Sequence, residues 1–463
     1  MEQTRQDNPL GYEKISKLLF RFSLPSIVAM LVSSLYNIVD QIFIGQGLGY
    51  LGNGATTVAF PFTTIGLAIA LLLGVGSAAN YSLLLGEGKQ EEAAKTVGAG
   101  LTFMLVAGLI YLVLAELLMP LLLPAFGATA ENYQYAHDYS QIILIGMPFL
   151  ILSNGLSQLA RADGAPTFSM MSMIVGAIVN CILDPLFIFV FHWGMAGAAW
   201  ATIIGQMATL LVCLFYIPRF KQIHLEKHHY QMHFHYLKRI AAVGAANSLN
   251  QVTILFVQIV LNNLFKYYGA MSIYGANIPI AASGVAFKLN GLYISAVVGL
   301  GQGTQPIIGF NYGARQYDRV KRCVLLAMSS VVVLGTLVML LFQFFPVQLI
   351  ELFGQGDELY IQFGVLMLRV NMACICIQGI QGLSSNFFSA IGQAGKGAFL
   401  SMTRTIIFFM PLVFVLPLFL GIEGMLLSQP IADFLSVVVS IFFIRRAFKK
   451  MDAKKQEIQK ELA

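Results

Sequence analysis

"VAFPFTTIGLAIALLLGVGSAANYSLLLGEGKQEEA" (58–93) aligns without gaps with "VAFKLNGLYISAVVGLGQGTQPIIGFNYGARQYDRV" (285–320). Val58, Ala59 and Phe60 fall on Val285, Ala286 and Phe287, and Gly74, Gly76 and Gly86 fall on Gly301, Gly303 and Gly313. At the same offset Gly194 and Gly197 fall on Gly421 and Gly424. Each copy is an apolar run long enough to cross roughly 30 Å of hydrocarbon, closed by glycine and charge. The chain is therefore built twice. An even number of spans per copy keeps the copies parallel, related by an axis along the membrane normal.

The rest of the chain agrees with that frame. It is 57% hydrophobic and 11% charged, where globular chains carry about 25% charged residues. Apolar runs read against Gly, Pro and charge breaks predict twelve spans: 17–45, 55–84, 93–123, 136–160, 167–190, 195–218, 238–266, 279–312, 319–346, 360–390, 397–420 and 424–447. The expected fold is an all-α polytopic membrane protein, its twelve transmembrane helices forming two homologous six-helix bundles. Residues 1–218 are the first bundle, 219–239 a basic linker, 240–447 the second bundle and 448–463 a tail. A V-shaped pairing with a shared cleft open to one side is expected. The opening residues are polar and mixed in charge, without a signal-peptide pattern.

All but four of the 28 Lys and Arg residues fall in the N-terminal tail, the even-numbered connections and the C-terminal tail; the four are Lys266, Lys288, Arg369 and Arg404. Glu131, Glu351, Asp357 and Glu358 occupy the odd connections. The positive-inside rule then places both termini and the linker in the cytoplasm of a plasma-membrane protein. The net charge of +6 reads as this topology signal and not as a nucleic-acid surface. Five of the seven histidines lie in the linker, His224 and His228 one helical turn apart. A metal or pH sensor there is outweighed by a solvated linker. Cys181, Cys213, Cys323, Cys374 and Cys376 lie in or beside apolar spans and read as small hydrophobes. "GVGSAAN" and "GLGQGTQ" lie inside apolar helices and lack the lysine of a phosphate loop, so close helix packing explains them. No catalytic constellation and no ATPase signature are present. The chain reads as a secondary transporter, not an enzyme, with no cofactor beyond a coupling ion.

Asp40, in "LYNIVDQIFIGQGLG" (35–49), is the discordant residue. An ionised carboxylate inside a span is expensive and marks function by default. At 1.5 Å per residue, Asp40 of helix one, Asp184 and Asn180 of helix five and Thr202 of helix six share one depth toward the outer surface. Two carboxylates, an amide and a hydroxyl suit Na⁺; alternatively the two acids share one proton. Helical spacing puts Met30, Ser33 and Asn37 on the face of Asp40, and Met173 on the face of Asn180 and Asp184. Gln206 stands a turn from Thr202, and Asn154 a turn from Gln158. A polar cavity inside the first bundle follows, with Met30, Ser33, Asn37, Asn154, Met173 and Gln206 as expected substrate contacts below the cation site. The central cleft, against Lys288 or the helix-seven amides, is the other place for substrate. Pro185 kinks helix five, and Pro25 supplies a hinge in helix one. The second half has no equivalent set: Lys288, Arg369, Arg404 and Asp433 read as scattered charges.

At this point the chain resembles the multidrug and toxic compound extrusion (MATE) transporters, over essentially its whole length. Pro25, Asp40, Asn180, Asp184, Thr202 and "GLGQGTQPIIGFNYGA" (299–314) carry the likeness, which points to the DinF-like branch and its MepA-like members. An acid in helix seven, as in the NorM-like branch, is absent; Asn250, Gln251 and Gln258 stand there instead. The resemblance implies export of amphipathic, often cationic drugs or toxins against inward Na⁺ or H⁺, by a monomer in lipid that binds no nucleic acid. It also implies that cation binding at Asp40, Asn180, Asp184 and Thr202 reshapes the first bundle. The chain's 20 methionines and 35 phenylalanines supply soft packing for varied shapes. The alternative is a lipid-linked oligosaccharide flippase of the same superfamily, which requires several cationic side chains to hold pyrophosphate.

Overall fold

The computed structural model describes residues 9–126, 128, 133–275, 277–351 and 358–462. Glu131 and Asp357 lie outside the described residues. Every regular element among them is helical, with no strand. Among the described residues nine helices are long and apolar enough to cross a membrane, and a tenth span is made if a bent pair counts as one. We label the spans α1 (Ile15–Ile44), α2 (Ala55–Gly86), α3 (Gln90–Ala125), α4 (Tyr133–Ala162), α5 (Pro166–Val190) and α6 (Gly194–Arg219). In the second half α7 is Phe234–Ala270, α8 Ala282–Gly313 and α9 Tyr317–Phe344. The pair Glu358–Asn371 and Ile375–Ala390, bent by 52°, is α10, and Gly395–Glu457 is α11.

Two long segments are not single rods. Helical backbone runs from Ile15 to Gly86, yet the Thr56 hydroxyl lies 3.2 Å from the Gln41 carbonyl. A straight helix separates those residues by about 22 Å, so the chain doubles back between α1 and α2. α11 is interrupted at Gly421, whose φ of 58° and ψ of −139° leave the helical region, between the expected spans 397–420 and 424–447. Residues 238–266 lie inside α7, which is not one of the nine apolar spans.

The internal repeat is geometric as well as textual. Gly194 and Gly421, equivalent by the repeat, both take positive φ, 59° and 58°. α2 and α8 close with the same turn. Gly88 N–H donates to Leu85 O and Lys89 N–H to Leu84 O, while Arg315 N–H donates to Tyr312 O and Gln316 N–H to Asn311 O. The first half places a glycine at the left-handed position (φ 78°); the second holds Arg315 there at φ 59°, a conformation that is unusual without glycine.

The first and last described helices approach each other on one side of the molecule. Arg319, at the start of α9, donates to Leu10 O and Glu13 O at 2.9 and 2.6 Å, and its neighbour Asp318 accepts from Lys455 at 2.5 Å. On this terminal side the halves meet through glycines. A Cβ on Gly86 would stand 2.1 Å from Phe310 O, and one on Gly313 2.3 Å from Leu83 O. These two contacts are images of each other under the repeat, so the pseudo-twofold axis passes between them. Gly76 and Gly244 similarly join α2 to α7, and Gly299 and Gly303 join α8 to α1. Small residues let backbones approach this closely. Residues Leu10, Ile15, Leu18, Leu19 and Phe22 join the apolar core of the second half, while most of the first half packs in two cores of its own.

The segment 219–239 is exposed over most of its length, four of its five histidines included, yet it is anchored at several points. Phe220, Ile223 and His229 are buried, and the segment lies against the first half. The Asp163 carboxylate accepts from Tyr81 (2.5 Å) and Tyr216 (2.7 Å), and from the backbone N–H groups of Lys221 (2.7 Å) and Gln222 (3.3 Å). Burial pushes the Asp163 carboxyl above its ordinary range, against the pull of those four donors. Thr102 donates to Tyr230 O at 3.0 Å, and α7 begins after only three more residues.

Candidate functional site: a cavity backed by two buried acids

Away from the terminal side, the halves part around a cavity of about 620 Å³. Its wall is mostly first-half: Ser33, Asn37 and Gln41 of α1, Thr56 to Leu67 of α2, Asn154 of α4, Met173 and Asn180 of α5, Thr202 and Gln206 of α6. Gln251 of α7 and Lys288 of α8 complete it. Five of the six expected substrate contacts therefore line one cavity. Met30, half-buried on α1, does not. The cavity also reaches Lys288, so the two places considered for substrate are parts of one space. Gln251 lines it; Asn250 is exposed and outside the lining, and the Gln258 side chain lies outside the described residues.

Behind this wall the expected cation set converges. Asp184 is fully buried and Asp40 is 6% exposed, and the two carboxyl groups lie close enough to act on each other electrostatically. Asn180 Nδ2 donates to Asp184 Oδ1 at 3.3 Å and to Thr202 Oγ1 at 3.5 Å. Close packing makes this convergence: a Cβ on Gly205 of α6 would stand 3.0 Å from Asn180 Cβ. Just after Asp184, Pro185 removes an N–H, and the helix continues as a wide π-turn over Leu186–Val190. Pro25 sits inside α1, half-buried.

The chemistry lies in what is left unpaired. Asp40 Oδ1, Asp184 Oδ2, Asn180 Oδ1 and Gln206 Oε1 are buried acceptor oxygens without a donor. Orphan acceptors in a dry interior are costly. A hard cation or a proton at the acids satisfies those of Asp40, Asn180 and Asp184, while Gln206 Oε1 faces Gly146 of α4; all four residues come from helices of the first half.

Three clusters differ from what their residues suggest in sequence. Arg161, readable only as a loop charge, is 2% exposed; it donates to Gln302 of the second half and to Ser169 Oγ, the latter at 3.2 Å. Arg404 and Asp433 are not scattered charges but an ion pair at 3.2 Å, with Asp433 1% exposed. By the repeat Asp433 falls on Gln206 and Gln429 on Thr202, so the position of an open cavity wall in one half holds a closed ion pair in the other. Arg369 is exposed and stands outside the lining of the cavity. The third cluster is Glu91, His228 and His229, with ligand atoms within 4.8 Å of one another. Glu226 N–H donates to His229 Nδ1 at 2.9 Å, which leaves the ring proton on Nε2, facing Glu91 at 3.3 Å. A metal needs that lone pair free. This arrangement is a clasp holding the segment to α3.

Two repeated helical bundles, closed by glycine on one side and parted around a polar cavity on the other, define a membrane transport protein of the two-repeat kind. The chain belongs to the MatE family: the family model matches residues 25–186 and again 254–415, one match in each half. It is similar to the multidrug export protein MepA of Staphylococcus aureus strain N315, 28% identical over 440 residues covering 93% of both chains. MepA of Staphylococcus haemolyticus strain JCSC1435 is 27% identical over 447 residues, 95% of this chain and 96% of that one. Among solved structures, a MOP superfamily transporter from Pyrococcus furiosus superposes with a TM-score of 0.90 at 23% identity, covering 96% of this chain and 98% of that one. An outward-facing MATE family transporter superposes at 0.89 and 22%, covering 97% and 98%. At that identity the superpositions speak for the fold.

Proposed function

We propose that this protein is a multidrug efflux antiporter of the plasma membrane, with both termini cytoplasmic, exchanging amphipathic compounds for inward H⁺ or Na⁺. One observation carries the coupling: three buried acceptor oxygens, on Asp40, Asn180 and Asp184, stand together without donors behind the wall of a drug-sized cavity. A cation or proton there neutralises the acid pair, and a cationic guest in the same cavity competes with it. Such competition is what antiport requires, because each ligand must favour a different state of the bundles. The export proteins named MepA, similar over nearly the whole length, support drugs as the cargo. A flippase for pyrophosphate-bearing lipids is disfavoured, since among the described residues Lys288 alone brings a cationic side chain to the lining and Arg404 is bound to Asp433.

The test is efflux from reconstituted vesicles under an imposed proton or sodium gradient. Asp40→Asn and Asp184→Asn each abolish uphill export while the protein still folds and purifies. Gradient-driven export retained in both variants refutes the reading. The gradient that drives wild-type export names the ion.

A further inference from the structure

We infer that Lys288 is the anion-binding element of the cavity, and that the preferred cargo is a zwitterionic amphiphile. Such a cargo carries an ionised carboxylate or similar anion in addition to its cationic group. This rests on the efflux reading above and specifies its substrate class.

Among the described residues, Lys288 is the one lining side chain of a charged residue type. It is exposed to the cavity, and no hydrogen bond or ion pair engages its ammonium among the described residues. A charge at such a depth ordinarily faces a water-filled cavity, a partner or a ligand. The two acids do not serve as its partner. They are buried behind the first-half wall, facing each other and Asn180. The rest of the lining is hydroxyl, amide and apolar, without a countercharge for Lys288.

A guest of this cavity thus meets a cation on the α8 wall and a pair of acids behind the opposite one. A purely cationic guest satisfies the acid side and is repelled at Lys288. A guest with an added carboxylate satisfies both, with its anion at Lys288 and its cationic group toward Asn180 and the acids. The volume of about 620 Å³ lies within the roughly 300–1,000 Å³ of drug-sized sites. The same orientation keeps the cationic group in competition with the coupling ion, so selectivity and coupling use opposite ends of one molecule.

The test uses a carboxyl-bearing rhodamine, which is a zwitterion, and its methyl ester, a monocation of the same ring system. Equilibrium binding of each to the purified full-length protein is followed by fluorescence anisotropy. The wild type binds the acid more tightly than the ester. Lys288→Met lowers that ratio about tenfold, the scale of one charge-assisted contact, and Lys288→Arg preserves it. A wild type that binds the ester as well as the acid, or a ratio untouched by Lys288→Met, overturns the proposal and leaves efflux standing. Binding of neither dye overturns both readings. A ratio lost equally in Lys288→Met and Lys288→Arg shows a packing role and also overturns it.

Discussion

Gly313→Ala is a one-methyl change aimed at the contact on which the two halves close. Its Cβ would lie 2.3 Å from Leu83 O and 3.1 Å from Glu87 N. Both are backbone atoms of the facing helix end and have no rotamer to yield. Ordinary contact begins near 3.4 Å, so α2 and α8 must separate by about 1 Å in an interior packed without slack. Overpacking of this kind costs about 1–3 kcal/mol, felt only in the state in which the terminal side is closed. The ratio of closed to open forms should therefore fall roughly 5- to 150-fold. Electron-spin distance measurements between labels at Glu92 and Lys449, one in each half and both in exposed positions, read that ratio in a cysteine-free background. The symmetry-related Gly86→Ala should give the same shift. Gly291→Ala, on the same α8 with open space around its Cβ, is the control. If Gly313→Ala leaves the distance distribution where Gly291→Ala leaves it, the glycine contact does not hold this side closed.

Three further outcomes follow from single contacts. Arg404→Ala leaves Asp433 buried without its counter-ion and should cost about 3–5 kcal/mol, read as a fall in thermal unfolding temperature; Arg404→Met with Asp433→Leu should restore most of it. Gly194→Ala and Gly421→Ala force a side chain to positive φ at equivalent points of the repeat and should each cost about 1–3 kcal/mol. Gly395→Ala, with nothing near its Cβ, should cost nothing measurable by the same assay. Asp163→Asn turns an amide N–H toward backbone donors and should destabilise by about 1–3 kcal/mol. Burial holds the folded Asp163 above its ordinary 3.8, so its contribution is complete below that value and is lost as pH rises through the folded one. Unfolding temperatures across pH should show that slope in the wild type and a flatter one in the variant.

What could be read from the sequence was whatever repeats or violates the solvent. Gly74, Gly76 and Gly86 announced the second copy because backbones touch there and no other side chain fits. Asp40 and Asp184 announced themselves because a carboxylate in hydrocarbon must be explained, and rise per residue gave their common depth. Depth does not give azimuth. Met30 has the spacing of Ser33 and Asn37 yet misses the cavity, since the rotation of α1 is set by its neighbours and not by its own period. For the same reason Arg404 and Asp433, 29 residues apart, carried no sign of being a pair. Arg161 and Asp163 were hidden by their address: charge beside a loop ordinarily means solvent, and here Tyr81, Tyr216 and the segment after α6 cover it.

The clasped segment sets the mechanics of the whole. With Lys221 and Gln222 held by Asp163, and His229 and Tyr230 held against α3, only residues 231–233 remain as free chain before α7 begins. Fully extended, three residues reach about 10 Å. The halves are thus joined by a strap and not a leash. They can pivot but cannot drift apart, and the strap crosses on the same side as the glycine contact. Its end works as a fixed fulcrum close to the axis, so a small angular change there opens a wide arc at the far rim of the cavity. Lengthening the strap would add slack and blunt that lever, even though every ligand contact stayed in place.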